Sequence, residues 1–117
     1  MTTVNDNGTD LSDEDLKLVT LARAARARID AADSAAVRDR DGRSYAAPAI
    51  TLPSLVLSGL ELAVAQAVAA GATGLEAIAI VTDEPQGDWS AATEFAGPGV
   101  SVHIADHSGA VVGEATT

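Results

Sequence analysis

The chain contains no cysteine. That excludes disulfides, thiolate nucleophiles and every cysteine-containing zinc site together. Aromatic residues are nearly as scarce, at 3%. A core must therefore rest on Leu, Val and Ile, because the abundant alanines each bury little area, and modest stability is expected. Cations are few as well, with 7 Lys and Arg against 17 Asp and Glu and a formal net charge of −10. Such a surface repels phosphate backbones and anionic headgroups, which argues against nucleic acid or membrane as a main partner. Arg38, Arg40 and Arg43 gather around one turn, but aspartates interrupt them and no basic stripe results. The opening "MTTVNDNGTD" has neither a basic region nor an apolar core, so no secretory signal is expected and the cytoplasm is the expected location. Residues 52–70 approach the length of a membrane span, yet Glu61 and Gln66 lie inside, alanine supplies much of the bulk, and no Lys or Arg flanks the run. A buried helix explains that run better.

What is present fits one domain. The chain has 117 residues, 47% of them hydrophobic, enough for one core and not for two. Residues 1–10 are polar and aperiodic and read as a disordered acidic tail. Ser12 can cap a helix whose first turn holds Asp13, Glu14 and Asp15, and Leu18, Leu21, Ala22, Ala25 and Ile29 repeat at helical spacing over about 13–31. Asp41-Gly42 predicts a hairpin turn between extended runs at 35–39 and 43–47. The second helix is expected to open in "TLPSLV", with Thr51 as cap, Pro53 in the first turn and Gly71 as terminator. Its polar positions, Ser54, Ser58 and Glu61, form a single seam. "EAIAIVTD" reads as a strand covered on both faces, Ser90–Phe95 as a short helix, "VSVHIAD" as a strand and "AVVGE" as a last strand. The predicted order is α-β-β-α-β-(α)-β-β, with one crossover through the second helix. The domain is expected over 11–113, with 114–117 as a short tail.

Chemistry is thinly marked. His103 sits in an alternating strand, where a hydrogen-bonded structural histidine is the common outcome. His107 follows Asp106 in a turn, and such a pair can orient an imidazole, but no motif marks a nucleophile beside it. Gly-Pro-Gly and Gly-Ala-Thr-Gly are turn sequences and match no phosphate loop. Trp89, the single tryptophan, fits gap filling, an oligomer contact or ligand stacking.

The order of elements, together with "DGRSY", "LELAVAQAVAAGATGLEAIAIVTD" and "EF…VSVHIAD", resembles the cytidine deaminase family over roughly Leu16 to Gly109. The resemblance implies an α/β fold, a three-layer α/β/α arrangement with a mixed sheet of four to five strands and a central buried helix. In that family the central helix opens with Cys-Ala-Glu-Arg, and Pro-Cys-x-x-Cys follows on a later helix. Matched to that pattern, Ser58 stands at the first cysteine ligand, Gly59 at the alanine, Leu60 at the catalytic glutamate and Glu61 at the arginine. Pro85 and Asp88 fall near the second cysteine motif. The nucleoside-gripping Asn-x-Glu segment would fall in "YAAPAITLPS", which holds neither Asn nor Glu.

Zinc deamination needs a Lewis acid to make hydroxide and a carboxylate to carry its proton to the base. Serine is a poor zinc ligand, and leucine carries no proton. Metal ligands, proton shuttle and substrate grip are missing together. The chain is therefore expected to bind no zinc or other cofactor and to be a catalytically silent relative kept as a binding or assembly module. The alternative is an enzyme, of the hydrolase type that nucleoside deaminases represent, using Glu61, Asp88 or a histidine in the same cavity. The resemblance also implies a homo-oligomer, dimer or tetramer, with contacts near Leu52–Ser58 and Trp89. An unidentified protein or small-molecule ligand stays open.

Overall fold

A computed structural model of the chain describes residues 11–84 and 87–117. The expected tail over 1–10 lies outside the described residues. Ser12 starts the first helix as its position predicts, its Oγ accepting from the Asp15 N–H at 3.1 Å. The helix, α1 (Asp13–Ile29), ends at Asp30, which turns into the left-handed region at φ 51°. Strands β1 (Asp33–Asp39) and β2 (Ser44–Pro48) then form the expected hairpin. Gly42 takes φ 86° in its turn, a conformation that favours glycine. The buried Asp39 carboxylate organises that turn, accepting from the N–H groups of Asp41 and Arg43 at 2.9 Å and from the Tyr45 hydroxyl at 2.8 Å. Burial pushes this carboxyl up, but the hydrogen bonds from Tyr45, Arg43 and Asp41 outweigh it and hold its pKa below the usual value.

The next segment departs from the expectation. Residues 50–57 form a second small hairpin, β3 (Ile50–Leu52) and β4 (Leu55–Leu57), turning at Pro53 and Ser54. Thr51 therefore caps nothing, and Pro53 serves the turn rather than a helix. The second helix, α2 (Gly59–Ala69), begins eight residues later than Thr51, with Ser58 as its cap. A Ser-x-x-Glu capping box satisfies the helix start at both ends, and that reciprocal bonding outweighs the weaker signal of a proline near an N-terminus. The helix is also one-sided: Leu60, Ala63, Val64 and Ala67 are buried, while Glu61, Ala65 and Val68 are exposed. The supposed seam from Ser54 to Glu61 is thus broken, since Ser54 sits in the hairpin turn.

Strand β5 (Leu75–Thr82), helix α3 (Ser90–Ala96), strand β6 (Ser101–Ala105) and strand β7 (Val111–Thr116) complete the chain. The sheet is mixed and five-stranded, in the order β2-β1-β5-β6-β7. Only β5 and β6 are parallel neighbours, joined through α3. Because β2 and β5 both run antiparallel to β1, they are parallel to each other, and α2 carries the expected crossover between them. The C-terminus corrects the expected tail at 114–117. Glu114 to Thr116 belong to β7, and Thr117 is tied down by its N–H to the Val100 carbonyl at 3.0 Å and its hydroxyl to the Gly97 carbonyl at 2.7 Å. The alternation that makes this strand runs through Gly113 and Ala115, which give little hydrophobic contrast.

Strand alternation sorts the core into two faces of unequal bulk. Val37, Ile78, Ile80, Val102 and Ile104 meet α2 and α3 on one face. Ala36, Ala77 and Ala79 point the other way, and these small residues let Leu18, Val19 and Ala22 of α1 settle against the sheet. The result is three layers, helix on both sides of the sheet. Gly59 is required where α2 crosses β1, because a Cβ there would lie 2.5 Å from the Ser34 Cα. No helix among the described residues is long and apolar enough to cross a membrane.

Candidate functional site

The N-terminal ends of α2 and α3 and the C-terminal end of β5 enclose a cavity of about 210 Å³. Three of the residues singled out at the α2 start, Ser58, Leu60 and Glu61, line it together with Asp88 and Trp89. Pro85 lies outside the described residues. Residues near 58 and near 88 are thus brought to one hollow although some 30 positions separate them in the chain.

Their bonding is structural. Ser58 Oγ accepts from the Glu61 N–H at 3.0 Å, and Glu61 Oε1 accepts from the Ser58 N–H at 2.8 Å. Leu60 is buried at 3% exposure in the larger core. Asp88 accepts from the N–H of Ser90 at 2.9 Å and from its hydroxyl, closing the turn that enters α3. These two hydrogen bonds, the hydroxyl first, hold the Asp88 carboxyl below the usual carboxylate range.

Three polar lining residues, Asp33, Thr82 and Glu84, carry no mark in the sequence. Asp33 opens β1, and its Oδ1 accepts from the Gly59 N–H at 2.8 Å, adding a third bond at the start of α2. Thr82, the last residue of β5, and Glu84 just past it extend the wall, with the Glu84 N–H donating to Thr82 Oγ1 at 3.0 Å. Asp33 carries no local signal, since its contact reaches 26 residues ahead. Gly87 supports Trp89, for a Cβ there would meet the indole ring at 2.3 Å.

The histidines lie elsewhere. His103 faces α1 on the opposite side of the sheet, its Nε2 2.8 Å from Asp15 and its Nδ1 2.9 Å from Glu114. His107 pairs with Asp83 at 3.0 Å, with its Nε2 3.2 Å from the Ala32 carbonyl. Neither is among the lining residues, so Glu61 has no histidine partner there.

The zinc implied by the resemblance asks for soft or imidazole donors converging on one point. The cavity offers the Ser58 hydroxyl, already engaged in the cap, and the carboxylates of Asp33, Glu61 and Asp88, each already accepting a backbone N–H. Among the described residues no three His, Cys, Asp or Glu side chains converge as metal ligands. The donor set does not fit the metal.

The cytidine deaminase from Burkholderia pseudomallei matches with a TM-score of 0.69 and 22% identity, covering 92% of each chain. The cytidine deaminase from Mycobacterium leprae matches with a TM-score of 0.65 and 21% identity, over 86% of this chain and 90% of that one. A mutant cytidine deaminase from Mycobacterium tuberculosis matches with a TM-score of 0.63 and 23% identity, over 74% and 81%. At such identities the likeness establishes the fold. No curated protein matches the chain. The family model described as cytidine deaminase-like covers residues 11–109, nearly the whole described domain, and the chain belongs to that family.

Proposed function

We propose that the chain is a catalytically silent member of its family, retained as a binding and assembly module. One observation carries this reading. The helix start at which a deaminase would mount a ligand and a proton-carrying glutamate is here a self-satisfied capping box, with aliphatic Leu60 between Ser58 and Glu61. A hydroxyl and a carboxylate that bond each other's N–H groups contribute to helix stability and leave no group poised beside a reacting base.

Incubation of the purified chain with cytidine or deoxycytidine, with and without added zinc, tests the reading. Uracil-base product should stay at background in both cases. Turnover abolished by Glu61→Gln or Asp88→Asn would replace silence with an unfamiliar catalytic arrangement in the same cavity.

The assembly half of the proposal draws support from the β3–β4 hairpin. It stands apart from the main sheet and exposes Leu52, Leu55 and Val56. Two-stranded hairpins are marginal alone in water, and a second copy of the chain would cover this one.

A further inference from the structure

The cavity has a floor and a rim of opposite character. Leu60, Ile80 and Ile104 supply an aliphatic floor, and Trp89 borders it. The lining also carries Asp33, Glu61, Glu84 and Asp88, of which the last three are exposed and stand toward solvent. No Lys, Arg or His occurs among the described lining residues. Acidic residues on an open surface would be solvated and unremarkable. Here they border a hollow lined by aliphatic and indole surface, the combination typical of a small-molecule site.

Charge pairing elsewhere in the chain sharpens the contrast. Arg38 is placed between Asp15 and Glu76, His103 between Asp15 and Glu114, and His107 against Asp83. Among the described residues none of the four cavity carboxylates has a cationic partner. Asp33 and Glu61 also offset the partial positive charge of the α2 start, since each accepts a backbone N–H there. The helix terminus is thereby removed as an anion site, and the local field favours positive charge.

We propose that this cavity binds a small organic cation, a protonated amine carried on a flat apolar body. The body lies over the aliphatic floor beside Trp89, and the ammonium reaches the rim, where carboxylate lone pairs and the indole both favour it. The volume of about 210 Å³ is below the roughly 300–1,000 Å³ of sites for drug-sized ligands, which points to one ring with a short amine arm. The inference rests on the reading that the cavity does not deaminate a nucleoside.

Trp89 is the single tryptophan and lines this cavity, so its fluorescence and its indole N–H resonance respond to binding there. Benzylamine is the probe, with benzyl alcohol and benzoate as neutral and anionic controls of the same shape, and cytidine as a fourth titrant. Benzylamine should give a saturable change, weakened by added salt and by about ten-fold or more in the Glu84→Gln, Asp88→Asn double variant. Benzoate should give none, and benzyl alcohol should bind far more weakly. No saturable response to benzylamine overturns the proposal. So does equal binding of benzyl alcohol, tighter binding of cytidine, or benzylamine binding indifferent to salt. The salt series uses the unaltered chain and decides the matter even if the double variant fails to fold. Uracil-base product in the cytidine arm would defeat the silent reading, while saturable, salt-sensitive benzylamine binding would still uphold the cation site.

Discussion

Asp15 and His103, 88 positions apart, are joined by a 2.8 Å contact between Oδ2 and Nε2 on the face of the sheet away from the cavity. The other Asp15 oxygen accepts from Arg38 Nη2 at 2.9 Å, and Arg38 Nε donates to Glu76 at 2.8 Å. His103 Nδ1 lies 2.9 Å from Glu114. One aspartate at the start of α1 thus fastens that helix to β1 and β6, on the face where alanines supply little of their own grip.

Replacing Asp15 by Ala should destabilise the chain by about 1–3 kcal/mol, because two largely buried donors lose their acceptor. Asp13→Ala is the comparison, since Asp13 shares the first turn and its interaction with the helix dipole but is exposed. Urea denaturation measures both. Equal losses in the two variants would mean that the dipole, and not the network, accounts for the effect.

Acid should weaken the fold in a defined direction. At Asp15, burial raises the carboxyl pKa, but the hydrogen bonds and charges of Arg38 and His103 outweigh it and leave it lowered. Asp39 is lowered by its turn hydrogen bonds despite burial. A carboxyl whose folded pKa lies below its unfolded value contributes stability that is complete above the unfolded pKa and is lost as pH falls through the folded one. Denaturation midpoints should therefore hold from neutrality to about pH 5 and fall steeply below about pH 4. The Asp15→Ala variant should show a shallower fall, and an identical slope would remove Asp15 from the explanation.

Much of this architecture is legible in the residues. The capped periodicity of α1, the Asp41-Gly42 turn and the uninterrupted apolar run of β5 each declare themselves within a few positions. The start of α2 is less legible, because "ITLPSLVL" is apolar without a decisive period and Pro53 suits a helix start or a turn equally. Ser58 and Glu61, three apart ahead of an apolar run, were the signal that settles it. The Asp33 bond to Gly59 and the Asp15–His103 contact are products of tertiary packing and leave no mark in local pattern.

Gly59 fixes how closely the start of α2 approaches β1. The Cys-Ala-Glu motif of the resembled deaminases would place alanine here, and the added Cβ would fall 2.5 Å from Ser34 Cα and 2.8 Å from Ala35 N. Those are backbone atoms, so α2 must back away from β1 or β1 must bend. Gly59→Ala should cost about 1–3 kcal/mol as overpacking, despite the better helix propensity of alanine. Thermal denaturation checks it. A neutral or stabilising result would mean that the helix start can shift freely, and that the close approach to β1 is not fixed.

The exposed hairpin gives the last expectation. In its register Ile50 opposes Leu57 and Leu52 opposes Leu55, so these four side chains share one face. Ile50 and Leu57 at the base are partly buried, but Leu52 and Leu55 toward the turn are 54% and 47% exposed. Val56, on the other face, is 70% exposed. A chain of charge −10 can associate only through contacts that keep carboxylates apart, and no residue from Ala49 to Ser58 is charged. Light scattering at micromolar concentration should give a dimer or tetramer mass. Leu55→Glu should shift it toward the monomer, because the new carboxylate would be buried against its own copy. A monomer mass for the unaltered chain would mean that the hairpin stands uncovered, and the assembly role would fall with it.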